Sequence, residues 1–177
     1  MRLRTAKTST TQHRSLVGFI VGGVPYALRV DRVRQVVNPM PTTPLPHMPH
    51  SILGVAEHRG EVIPVMDLRV YYGAPIENTK RTKWILLDMG NRLVGVVVDA
   101  VTGVFASASE GLRAAPVLGE GDKQRGIAGV ASHEGAMVFV VDTALLQEIA
   151  RPVLGTAAQA SPTPSTATAE RTPTPES

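Results

Sequence analysis

The phrase GVAEHRGEVIPVMDL, Gly54 to Leu68, returns 75 positions later as GVASHEGAMVFVVDT, Gly129 to Thr143, with seven of fifteen residues identical and no gap. A chain that writes one phrase twice is committed to building one local structure twice. Each copy is two short apolar runs around a tight Gly-containing turn, Arg59-Gly60 in the first and Glu134-Gly135 in the second. That is the signature of a β-hairpin.

A second correspondence runs beside the first. LVGFIVGGVPYALRV turns at Gly22-Gly23, and KWILLDMGNRLVGVVVDAV turns at Gly90-Asn91. Both end in Val-Asp-x-Val-x-x-Val, at Val30 to Val36 and at Val98 to Val104, an offset of 68. The chain therefore reads as a tandem of two β units, each made of hairpin, Asp-marked turn, connector and second hairpin. Val and Ile dominate the runs, as half-buried pleated surfaces favour. Short strands with Gly turns in units of this size close into small barrels, which removes exposed edges. The expected fold class is mainly β: two tandem five-stranded barrels with short helices.

The connectors differ. Asn38 to Ser51 contains five prolines and must run extended. Its counterpart, Ala106 to Gly126, is Gly-rich and charged. Asp67 is placed to cap a short helix, LRVYY, that stops at Gly73, and Asp142 to cap TALLQEIA, with Ala144, Leu145 and Ile149 inward and Gln147 and Glu148 outward. Residues 1–15 and 151–177 are low in core-forming residues, the second rich in Ala, Ser, Thr and Pro. Both are expected to be disordered tails around a folded unit of 16–150.

Charge placement bears on partners. The sequence pI is about 9.6, yet residues 1–15 alone carry four cations and no acid. Residues 16–150 carry 12 cations against 13 acids, so the body is near neutral. That counts against a basic groove for nucleic acid, as does an aromatic content of 4%. The longest apolar runs are too short to span a bilayer. With no cysteine, disulfide and thiolate chemistry are excluded.

No catalytic constellation is legible. His47 and His50 sit among prolines without partners at ligand spacing, so no metal or other cofactor is expected. His58 and His133 occupy equivalent hairpin positions, which repetition alone explains. Asp31, Asp67, Asp99 and Asp142 each follow a strand and read as turn caps. There is no Gly-x-Ser-x-Gly elbow and no phosphate-binding loop. Arg59, at a tight turn where the second copy has Glu134, stands between two readings: a solvated turn charge, or a guanidinium positioned to orient a partner.

LGVAEHRGEVIPVMDLRVYYG closely resembles the central signature of the CheW-like coupling proteins of bacterial chemotaxis. FIVGGVPYALRVDRVRQVV resembles the opening hairpin of that family, PLPHMPHSILG its Pro-rich approach, and RLVGVVVDAV and FVVDTALL its later strands and terminal helix. The likeness covers 16–150. It implies two SH3-like five-stranded barrels and no enzymatic activity. It further implies a cytoplasmic adaptor, associated with membrane-proximal receptor arrays. Such an adaptor joins the cytoplasmic tip of a chemoreceptor to the regulatory domain of a CheA-type histidine kinase, alongside other CheW-like proteins, in chemotaxis or pilus motility. The positions matching its receptor groove are Val33, Val36, Gly54, Val55, Arg59 and Gly60, with Val94, Val96 and Val98 as further candidates. Two departures bear on partner choice. Gln35 stands where Glu is usual, which replaces an expected ion pair with Arg59 by a neutral hydrogen bond, and Glu57-His58 stands where Asn-Leu is usual. A small barrel that binds nucleic acid is the alternative reading.

Overall fold

A computed structural model describes residues 15–90, 92–107, 112–113 and 126–156, with side chains of the last helix described to Val153. The strands are β1 (Ser15–Val21), β2 (Val24–Arg29), β3 (Val33–Val37), β4 (Ile52–His58), β5 (Glu61–Asp67), β6 (Lys83–Asp88), β7 (Leu93–Val98), β8 (Ala100–Ala106), β9 (Ile127–His133) and β10 (Ala136–Val141). A 3-10 turn, Val30–Arg32, joins β2 to β3. The helices are α1 (Leu68–Tyr72) and α2 (Thr143–Thr156).

Two five-stranded sheets form, as the repeats predict, but neither repeat closes on itself. Sheet A runs β8-β1-β2-β10-β9, and sheet B runs β3-β6-β7-β5-β4. Each sheet holds the first hairpin of one repeat between the third strand and the second hairpin of the other. The exchange preserves register in detail. Phe19 opposite Val101 matches Leu87 opposite Val33, with a bulge at the same place in both pairings. Val140 opposite Gly129 matches Val65 opposite Gly54. The central contact of each sheet, β10 with β2 and β5 with β7, is parallel. A parallel neighbour needs a crossover, because a tight hairpin gives antiparallel strands alone, and here its two strands come from different repeats.

Strand alternation divides the apolar residues among three cores. Trp84, Leu86, Ile63 and Val65 fill the inside of sheet B, with Val37, Met40 and Leu53 packed against them. Leu16, Ala27, Ala131, Val138 and Val140 fill sheet A. The largest core lies between the sheets and takes the alternate residues, among them Phe19, Leu28, Met66, Ile85, Leu87, Val94, Val96 and Val98. Phe105 of β8 stacks on His133 of β9 at 4.0 Å between ring centroids, which closes sheet A edge to edge.

The repeated Gly-Val has a steric cause. The Pro-rich connector crosses β4 at Thr43, whose amide and carbonyl both bond Val55 (2.7 and 2.9 Å), and the second connector crosses β9 at Arg113 against Val130 in the same way. A Cβ on Gly54 would collide with the Thr43 carbonyl, and one on Gly129 would approach the Arg113 carbonyl to 2.6 Å. Gly54 also has φ 132°, open to glycine alone.

Asp67 caps α1 through the Arg69 amide and Gly73 ends it at φ 69°, while Asp142 accepts from the Ala144 amide at 2.9 Å. Three expectations need correction. Asp31 is not the N-cap of its turn: it lies inside the 3-10 turn, whose N-cap is Arg29, and pairs with Arg29. The inward face of α2 is Leu146, Ala150 and Val153, with Ala144 exposed and Leu145 and Ile149 half-buried. The helix also continues past 150 to Thr156, since Val153 completes that stripe at i, i+4, i+7. Residues 1–14 and 157–177, where the tails were expected, lie outside the described residues, as do Asn91 and most of the second connector.

Candidate functional site

The proposed groove residues come from two edges of sheet B. Side chains on paired residues share a face, so Val36 opposite Ile85, Val33 opposite Leu87 and Val55 opposite Pro64 all point toward the space between the sheets. Alternation alone would separate Val33 from Val36. The bulge between Val33 and Gln35 absorbs the extra residue and puts both on one side. Val33 and Val55 are half-buried against the inter-sheet core, as are Leu45 and Met48 of the connector. Val36 remains 38% exposed. These residues make an accessible apolar rim on a rigid core.

The other candidates divide. Gly54 is buried beneath the connector and shapes the backbone rather than offering a surface. Val94, Val96 and Val98 are fully buried on a central strand, so they are core and cannot line an open groove. Arg59 and Gly60 form the exposed tip of the β4–β5 hairpin with φ 53° and 83°, and Glu134 and Gly135 repeat this at 51° and 80°. Glu57 is exposed and His58 half-buried beside that tip.

Gln35 and Arg59 do not meet. Gln35 stands opposite Leu86 and so lies on the face of β3 that turns into sheet B, away from Val36. Arg59 makes no side-chain hydrogen bond or ion pair among the described residues. The expected bond is therefore absent among the described residues: Gln35 lies on β3 and Arg59 at the tip beyond β4, at opposite ends of the strand order of sheet B.

Sequence reasoning passed over the buried cation beside Asp67. Arg69 is 2% exposed, and its guanidinium grips Asp67 with both ends, Nε to Oδ1 at 3.0 Å and Nη2 to Oδ2 at 2.8 Å. Its Nη1 donates to the Glu77 carbonyl at 3.0 Å and to Asn78 Oδ1 at 3.1 Å, and lies 3.6 Å from Asp99 Oδ1. The Asp67 hydrogen bond, opposed by burial and reinforced by the Asp67 and Asp99 charges, raises the guanidinium above its ordinary pKa. Asp99 is no cap for its own turn: its Oδ2 accepts from the Gly22 amide at 2.7 Å. Asp67, Arg69, Asp99 and Gly22 thus form a polar line from sheet B to the β1–β2 turn of sheet A. The signal available in sequence was Arg two residues after Asp67 within an apolar stretch.

An aromatic stack covers the same seam. Tyr26 lies 4.7 Å from Tyr72 and 5.9 Å from both Phe19 and Phe139, ring centre to ring centre. The Tyr72 hydroxyl is buried with no hydrogen-bond partner among the described residues, and burial drives its pKa well up. His47 and His50 are exposed, and no cluster of three potential metal ligands occurs among the described residues.

Comparison with known proteins bears on the family and the fold. The family model for the CheW-like domain matches residues 15–150. The chain is 31% identical over 138 residues to "Chemotaxis protein CheW" of Rhizobium meliloti (strain 1021), covering 77% of this chain and 89% of that protein. It is 37% identical over 87 residues to "Protein FrzA" of Myxococcus xanthus, covering 49% and 54%. Its fold is similar to the crystal structure of scaffolding protein TtCheW from Thermoanaerobacter tengcongensis, with TM-score 0.66 and 25% identity, over 73% of this chain and 88% of that one.

Proposed function

The chain belongs to the CheW-like domain family, and from that premise we propose that it is a non-catalytic coupling adaptor of chemotaxis-type signal transduction. The observation that carries the reading is the family match across 15–150, which takes in both sheets and leaves no additional folded unit among the described residues. In this reading the rim of Val33, Val36 and Val55 receives the helical hairpin at the cytoplasmic tip of a chemoreceptor. Apolar residues half-exposed on a rigid core suit that partner, since an amphipathic helix docks its apolar face without reorganising the surface. The regulatory domain of a CheA-type histidine kinase occupies another surface, and the Arg59 hairpin tip contributes to the assembly. No helix among the described residues is long and apolar enough to cross a membrane. Association with a receptor array in the cytoplasm would then come through partners.

The test is reconstitution. A receptor signalling tip and a CheA-type kinase, each immobilised in turn, should retain this protein, and the three together should raise kinase autophosphorylation above that of the kinase alone. Retention on neither partner would overturn the proposal. Salt-sensitive binding to single-stranded DNA in its place would favour the nucleic-acid reading.

A further inference from the structure

We propose that a second copy of this chain can supply the missing half of each sheet, so that two chains exchange repeats reciprocally, and that the Arg69 clamp on the inter-repeat segment selects the closed monomer. Each sheet is already a complex between two repeats. The contacts that join them are β1 with β8, β2 with β10, β3 with β6 and β5 with β7, together with the inter-sheet core. Every one of these would form equally well if the second repeat came from another copy. The choice rests on one covalent crossing, Gly73–Thr82, between α1 and β6.

That crossing is longer than closure needs. Asp67 and Trp84 both stand opposite Val97, so the end of β5 and the start of β6 lie two strand spacings apart, about 10 Å. The five residues of α1, about 7.5 Å long, add no more than that to the gap, and the ten residues that follow can span about 33 Å. Pro75 to Arg81 are all exposed and contain neither helix nor strand. What gathers the slack is Arg69: Nη1 holds the Glu77 carbonyl and Asn78 Oδ1, and its carbonyl holds the Ala74 amide at 2.7 Å. Held so, the segment leads into β6 beside its own sheet and keeps the effective concentration of the second repeat high. Freed, the segment holds the second repeat at a lower effective concentration; shortened below the gap, it cannot close at all, and exchange with a partner restores the same contacts.

The absence of cysteine makes the test unambiguous. Ala27 and Val140 are register neighbours on β2 and β10. A single chain carrying both Ala27→Cys and Val140→Cys should form the disulfide internally, which establishes that the geometry allows it. Two preparations of the full chain, one with each substitution, are then unfolded, mixed, refolded and oxidised. With the whole crossing, Gly73–Thr82, deleted from both, α1 joins β6 directly with no slack to cross back, and the mixture should run at twice the monomer mass and cross-link between the two kinds of chain. A folded monomer, or a dimer without that cross-link, would overturn the proposal. Should the deletion prevent folding, the undeleted pair decides: cross-linked chains must rise as refolding concentration is raised a hundredfold, and none at any concentration refutes exchange.

Discussion

The Arg69 guanidinium lies flat against the Asp67 carboxylate, both side chains 2% exposed, with the Asp67 amide in turn donating to the Ser51 carbonyl at 2.7 Å. Two residues in one short stretch thereby fix the end of β5, the start of α1, the inter-repeat segment and the approach to Asp99. Removing one partner would leave the other charge buried and uncompensated. Arg69→Met should therefore cost about 3–5 kcal/mol, while replacing Asp67 and Arg69 together by apolar residues should cost less than Arg69→Met alone. Urea unfolding of the single and double variants measures this. Equal loss in both would mean that the pair contributes more than the relief of an isolated charge.

Tyr72 makes a prediction in pH. Its hydroxyl is buried without a partner among the described residues, and its pKa is raised above the ordinary value of 10.0, by burial first and then by neighbouring Tyr26 and Tyr71. Below pH 10 both folded and unfolded states hold the proton, and the stability is whole. Above it the unfolded chain releases a proton that the folded chain keeps, so stability falls as pH rises. Tyr72→Phe should remove that part of the alkaline loss and, at neutral pH, leave stability equal or improved, because an orphaned polar group disappears. Melting curves from pH 8 to 11 would show it, and an unchanged alkaline slope would refute it.

Exposure separates the two sets of valines that sequence placed in one groove. Val36→Glu puts a charge on a rim that is already 38% exposed, so the melting temperature should move by only a few degrees. Val94→Glu buries a charge in the inter-sheet core and should prevent folding. Receptor capture should be lost in Val36→Glu although its circular dichroism is native. Full capture by a folded Val36→Glu variant would remove the valine rim from the receptor site.

These outcomes show what the sequence could and could not express. Hairpins, turn residues, caps and the duplicated Gly-Val are local, and each was readable because the same residues recur at offsets of 68 and 75. Which hairpin joins which sheet is not local. Phe139 beside Tyr26 and Val65 beside Gly95 are parallel neighbours from different repeats, and alternation within either strand is the same whoever its partner is. The bulge after Val33 left only a weak local trace, the two polar residues Arg34 and Gln35 that interrupt alternation in VRQVV. That one extra residue places Val36 with Val33. Val94, Val96 and Val98 read as surface-compatible because a central strand and an edge strand use the same residue types.

Arg59 remains the residue whose chemistry and geometry disagree most. It holds φ 53° at the first central position of a two-residue hairpin turn, followed by Gly60 at φ 83°. Positive φ at both positions is the type I′ geometry, for which Asn-Gly is the favoured pair. A long β-substituted side chain in that region costs roughly 1 kcal/mol, and Arg59 gains nothing back from an ion pair among the described residues. Arg59→Asn should accordingly stabilise the protein by about 0.5–1 kcal/mol, and Glu134→Asn should do the same at the twin turn. A double-mutant cycle of Arg59→Asn with Gln35→Glu should be additive within about 0.5 kcal/mol, since the two side chains do not touch. If Arg59 serves a partner, Arg59→Asn will combine higher stability with weaker assembly of receptor, adaptor and kinase, whereas Glu134→Asn is the internal comparison for the turn alone. Unfolding midpoints and kinase stimulation measured on the same preparations decide the matter. Higher stability with undiminished stimulation would make Arg59 a plain turn residue, strained without purpose.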